Sequence, residues 1–182
     1  MPWFRRARPA HTSWLLTKTY FQMLVFWVVF LFVLPPVVAH VGDLLGTPRM
    51  QLPFARPIAL TIFLLASTLG LASAYTMASR GRGTPLPLDA PSELVVTGPY
   101  AWIRNPMAVA GLTQGVAVAL WLGSPMVLIY VMSGGLLWNM FVRPVEENDL
   151  DATFGQSFRD YRAAVPLWLP KLKTRVRRSG PE

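Results

Sequence analysis

The groups able to do chemistry in this 182-residue chain gather in two segments. One is GPYAWIRNPM, Gly98 to Met107, which supplies a phenol, a guanidinium and an amide. The other opens at Arg143 and runs through VEENDLDATFGQSFRDYRAAVP, Val145 to Pro166, with Glu146, Glu147, Asp149 and Asp151 near its head. Carboxylates in such a set can hold a cation or take a proton, and arginines can hold an anion. The chain has no cysteine, which excludes thiol nucleophiles, disulfides and thiolate metal sites. Its two histidines, His11 and His40, lack ligand-like spacing, so no metal is expected.

Each segment also has a plain structural reading. Tyr100, Trp102 and Arg104 have the composition of an interfacial belt. Acidic residues early in a helix are favoured by its dipole, by about 0.3 to 1 kcal/mol. Leu150, Phe154, Phe158 and Tyr161 recur at helical spacing and read as a packing stripe, with Gly155 dividing the run into two short surface helices. What makes the two segments informative together is where the intervening elements put them.

Hydrophobic residues make up 53% of the chain and charged residues 14%, with a mean hydropathy of +0.39. Soluble domains carry about a quarter charged residues, so this is a multi-span membrane protein of one domain. The expected fold is all-α and integral to the membrane: about four transmembrane helices, the last two a tight hairpin, followed by short cytoplasmic surface helices. The first span, Thr19 to Val38, suffices for a core of ~30 Å. Its length, Pro35-Pro36 and the lack of a small-x-small cleavage site argue against a signal peptide, and the prolines predict a kink or an end. The second span, Ile58 to Ala78, is introduced by Pro57 and closed by Arg80-Gly81-Arg82-Gly83. The third and fourth, Met107 to Leu122 and Met126 to Val142, are shorter and separated only by Gly123-Ser124-Pro125. Such a hairpin brings both polar segments to one bilayer face. Gly111 and Gly115, with Gly134 and Gly135, predict close backbone approach, and Gln114 and Asn139 predict an interhelical hydrogen bond.

Counting lysine and arginine by loop gives four before the first span, two in 39–57 (Arg49 and Arg56), three in 79–105 and eight from Arg143 onward. The positive-inside rule therefore makes both termini and both polar segments cytoplasmic. The net charge of +8 reads as a topology signal and an attraction to anionic headgroups. The tail with Lys171, Lys173, Arg175, Arg177 and Arg178 faces lipid or solvent rather than nucleic acid. Thr84 to Pro91, with three prolines, is expected to be an extended loop.

The order GPY-x-x-x-RNPM, helical hairpin, EE-x-x-L-x-x-x-FG-x-x-F-x-x-Y-x-x-x-VP resembles the C-terminal half of the isoprenylcysteine carboxyl methyltransferase and phospholipid methyltransferase family, over roughly 94–170. The resemblance implies an integral membrane enzyme that moves a methyl group from S-adenosyl-L-methionine to a hydrophobic or lipid-linked acceptor entering from the bilayer. It implies N-terminal helices in 1–83, a cofactor-binding half in 84–170 and a basic tail in 171–182. Carried over by position, Glu93, Leu94, Val95 and Tyr100 wall the adenosine pocket, Asn105, Pro106, Met107 and Ala108 flank the methionine moiety, and Glu146 holds a polar group of the cofactor. Arg143 is the counterpart of an acceptor-contacting arginine, and Glu146 or Glu147 is the base available to an amine acceptor. The family pattern has Arg-His-Pro-x-Tyr where this chain has Arg104-Asn105-Pro106-Met107-Ala108, so an imidazole and a phenol are replaced. Two alternatives stand beside this reading: a non-catalytic membrane protein of the same fold, and a sterol-reductase-like, NADPH-dependent membrane reductase. The second calls for more basic residues around the first motif than Arg104 alone.

Overall fold

The structure is a computed structural model that describes residues 12–81 and 92–170. The N-terminal arginines, His11, the loop Thr84 to Pro91 and the basic tail lie outside the described residues. Among the described residues the regular elements are helices: α1 (Thr12–Trp27), α2 (Leu34–Leu44), α3 (Ala55–Arg80), α4 (Pro106–Leu122), α5 (Pro125–Leu137), α6 (Arg143–Phe154) and α7 (Gln156–Ala164), with a 3-10 turn at Gly98–Ala101. Among the described residues, three continuous helices are long and apolar enough to cross a membrane: Ser13–Leu44, Ala55–Arg80 and Pro125–Phe154. At 17 residues α4 is shorter, reaching about 25 Å at 1.5 Å per residue.

Of the two outcomes expected at Pro35-Pro36, an end does not occur: the first helix runs on to Leu44, and Pro144 likewise lies inside a continuous helix, where α6 continues α5. A proline lacks an N–H and crowds the carbonyl four residues earlier. Those carbonyls belong to Leu31, Phe32 and Met140, and each lies in a π-helical turn, Val28–Val33 or Trp138–Val142. There the Leu34 N–H bonds to the Val29 carbonyl and the Arg143 N–H to that of Trp138, five residues back. The widened turn makes room for the ring and keeps the helix going. Gly155 does interrupt the chain, at φ 54°, between α6 and α7.

The main helix pair is α3 with α4. Small buried residues, Ala59, Ala66 and Ala74 on α3 with Ala110 and Ala117 on α4, let the backbones come close. The predicted polar contact is interhelical but runs to α3: Gln114 Nε2 donates to Ser67 Oγ at 2.9 Å. Against α5, only half of the glycines matter. A Cβ on Gly115 would stand 2.7 Å from Val131, and one on Gly135 2.9 Å from Leu112, whereas Gly111 and Gly134 face open space. Large apolar side chains such as Phe21, Leu24, Leu65 and Ile129 are exposed on the outer faces, as lipid solvation permits.

The chain thus runs from one end of the bundle to the other along α1–α2, back along α3, out along α4 and back along α5–α6. Residues 92–105, α6 and α7 consequently share one end. The apolar part of the last long helix stops at Val142, and α6, with its charges, stands beyond it.

Candidate active site

The site is assembled by docking α7 onto the stretch before α4. Phe158, Tyr161 and Val165 are buried, and Leu94, Val96, Leu150 and Phe154 pack around them. Alternation then turns Val95 the other way: it is buried, and its Cγ2 would lie 2.8 Å from a Cβ on Gly81. The Tyr161 hydroxyl donates to the Tyr100 carbonyl at 2.7 Å, and the Arg104 N–H donates to the Pro166 carbonyl at 2.9 Å. Two short polar links therefore tie the first motif to the end of the second. The Trp168 ring meets Trp138 edge-on at 5.7 Å, closing the same end.

Asn105 has a local task that explains why an amide works there. It is the N-cap of α4, its Oδ1 accepting the Ala108 N–H at 3.0 Å, and Pro106 follows at the first helical position. Pro106 is buried, while Met107 and Ala108 are partly exposed. Tyr100 is buried, and its hydroxyl is pushed above its ordinary range by desolvation, with Tyr161 and Glu146 adding to the effect. Burial raises the Tyr161 hydroxyl likewise, with Arg104 opposing it.

Glu147 is the electrostatic hub. Its Oε1 accepts from Arg104 Nη1 at 2.8 Å, and its Oε2 accepts from Arg143 Nη1 at 3.3 Å, with Arg162 Nη1 at 3.8 Å. Arg143 is further fixed by the Asn139 carbonyl, 3.3 Å from its Nε. Arg104 keeps one buried donor without a partner, its Nε. The Glu146 carboxyl is raised to about 7, by desolvation first and by the neighbouring Glu147 second.

Of the residues singled out in the sequence, the structure brings Tyr100, Arg143, Glu146 and Glu147 to one end, around the start of α4 with Asn105 to Ala108. Glu93 is exposed at the margin, and the side chains of Leu94 and Val95 are occupied in packing, which leaves their backbone for any ligand. Arg104, Tyr161 and Arg162 were not among the candidates. Arg104 carried a signal, since it opens the Arg-Asn-Pro motif, whereas Tyr161 read as one member of an apolar stripe.

The profile of the phospholipid methyltransferase family matches residues 55–157, more than half of the chain. The chain belongs to that family. That stretch holds α3 to α6 and the Arg104–Glu147 pair. Among curated proteins, the protein-S-isoprenylcysteine O-methyltransferase of Xenopus laevis is 29% identical over 83 residues, which cover 44% of this chain and 28% of that protein. The protein of the same description from Mus musculus is 30% identical over the same shares. The matched stretch is thus little more than a quarter of these relatives' length.

Proposed function

We propose that this chain transfers the methyl group of S-adenosyl-L-methionine to a lipid-like or membrane-delivered acceptor, a carboxylate, thiol or amine. We place this chemistry at the membrane face that holds residues 92–105 and α6, assigned to the cytoplasm by the lysine and arginine distribution. One observation carries the reading: within the family-matched stretch, Arg104 of the first motif and Glu147 of the second meet at 2.8 Å.

The residues present fit the cofactor. It carries cationic groups, a carboxylate and ribose hydroxyls, and this end of the bundle offers a part-buried carboxyl at Glu146 and an unpartnered buried donor at Arg104 Nε. When bound, the cofactor supplies an electrophilic methyl group on a positively charged sulfur. Glu146 holds one of its cationic or hydroxyl groups, Tyr100 and the backbone of Glu93, Leu94 and Val95 wall the adenosine, and Asn105 to Ala108 flank the methionine portion. Arg143 orients the anionic end of a carboxylate or thiolate acceptor. Glu147, whose oxygens are engaged by guanidinium donors, keeps Arg104 and Arg143 in place. For an amine acceptor, Glu146 or Glu147 is the nearby carboxyl that takes the proton. The buried cluster of Phe158, Tyr161 and Val165 holds the walls together and excludes water, and alignment of the reacting atoms does the rest.

Titration calorimetry on the detergent-purified chain tests this reading. Saturable binding of S-adenosyl-L-methionine is expected, and no binding of it or its demethylated product would sink the proposal. Incubating membranes with methyl-labelled cofactor should place label in a lipid-phase product, whose identification names the acceptor. Binding of NADPH in its place would favour the reductase.

A further inference from the structure

The opposite end of the bundle carries a second site that methyl transfer does not use. The loop 45–54 between α2 and α3 is pinned to the α4–α5 turn there: the Met50 N–H donates to the Gly123 carbonyl at 2.8 Å, and Arg49 Nη1 donates to that of Leu122 at 2.6 Å. Between this loop, the first turn of α3 and the end of α4 lies a cavity of about 420 Å³, lined by Arg49, Gln51, Phe54, Arg56, Trp121 and Gly123 among others. That size is within the range of small-molecule sites, about 300 to 1,000 Å³.

Charge is what distinguishes this cavity. In the sequence segments at this end, 39–57 and 123–125, Arg49 and Arg56 are the only lysine or arginine residues, and both line it. They are not equivalent. Arg49 is neutralised by Asp43, to which its Nε donates at 2.6 Å, and its remaining reach is spent on the turn. Arg56 forms no ion pair among the described residues, and its guanidinium stands 6.0 Å from the Trp121 ring centre, at the outer limit of a cation–π contact. The cavity is therefore lined by one positive charge without an ion-pair partner among the described residues, and Gln51 lines it too. Leu52, Phe54 and Trp121 are exposed around its mouth, as expected of residues at headgroup depth. A cation ringed by aromatic and aliphatic groups at headgroup depth is complementary to a phosphate that bears a glycerol and acyl chains.

We propose that this cavity binds the phosphate of an anionic phospholipid, with Arg56 as the residue that holds it. Binding draws the guanidinium away from Trp121, which gives an optical signal.

The test uses the full chain, delipidated in a neutral detergent and titrated with short-chain phosphatidylglycerol, chain-matched phosphatidylcholine and inorganic phosphate. Fluorescence is followed in the parent and in Trp121→Phe to isolate the Trp121 signal. Phosphatidylglycerol should bind saturably and at least tenfold more tightly than phosphatidylcholine. Arg56→Gln should weaken it tenfold or more without changing lipid-free thermal unfolding, and Gln51→Glu should weaken it with Arg56 intact. Inorganic phosphate binding as tightly as the lipid, and lost in Arg56→Gln, would support the phosphate site with a soluble source. Equal affinity for the two lipids, or an Arg56→Gln variant that binds phosphatidylglycerol like the parent, would overturn the proposal. Methyl transfer enters none of these readouts.

Discussion

Glu147 receives three guanidinium groups whose distances and exposures form a graded series, and that series predicts three unequal energies. Arg104 stands at 2.8 Å with both side chains 13% exposed, Arg143 at 3.3 Å and 28%, and Arg162 at 3.8 Å and 56%. Unit charges near 4 Å attract by about 4 kcal/mol at an effective dielectric constant of about 20. Desolvation offsets part of this for a half-buried pair. The Arg104–Glu147 coupling should therefore come to about 2 kcal/mol, within the range of neighbouring residues in one network. Arg143–Glu147 is an i,i+4 pair, longer and less buried than the first, so about 0.5 kcal/mol is expected. For Arg162 solvent screening leaves about 0 to 0.5 kcal/mol. Three double-mutant cycles, pairing Glu147→Gln with Arg104→Gln, Arg143→Gln and Arg162→Gln, measure these terms by unfolding in mixed micelles followed by circular dichroism. An Arg104–Glu147 coupling below about 0.5 kcal/mol, or an Arg162 coupling equal to it, would refute burial as the source of the ranking.

Asn105→Ala removes the α4 N-cap and should cost about 1 kcal/mol in thermal unfolding, while Asn105→Asp, which keeps the acceptor, should cost little. Gly115→Ala pushes a Cβ to 2.7 Å from the stiff, buried Val131 and should destabilise by about 1 to 3 kcal/mol, whereas Gly111→Ala, facing open space, should not. The Glu146 carboxyl is raised to about 7 and must be ionised to hold a cation, so cofactor affinity should fall as pH drops through 7. The fall should approach tenfold per pH unit, and Glu146→Gln should abolish that dependence; calorimetry across pH 5.5 to 8.5, at about half-unit steps, checks both. The same raised value means that the neutral acid is the form the fold prefers. Its contribution to the stability of the ligand-free chain is therefore present at acid pH and lost as pH climbs from the ordinary carboxylate value of 4.5 through about 7.

Much of the site was legible before the fold was known, because its two motifs are contiguous in sequence and differ in composition from the apolar runs around them. Asn105-Pro106 announces a helix start, and the acidic head of α6 stands out against the spans. Pairings between the motifs were not legible. Nothing in the spacing of Arg104 and Glu147, 43 residues apart, says that one guanidinium of three will take the shortest bond. Side-chain direction was also hidden: Leu94 and Val95 are both apolar, and only the docking of α7 decides which faces Phe158 and which faces Gly81.

The sequence by itself determined the all-helical, membrane-type character of the chain and its family, since these depend on composition, length and local order. Tertiary structure decided the rest. A proline run ends a helix unless a π turn absorbs the crowded carbonyl, as Val28–Val33 does within Ser13–Leu44. Likewise, Arg49 and Arg56 line one cavity, and only folding sets the first against Asp43 and leaves the second without an ion pair among the described residues. Electrostatic partners form across space, where sequence distance carries no information about dielectric or reach.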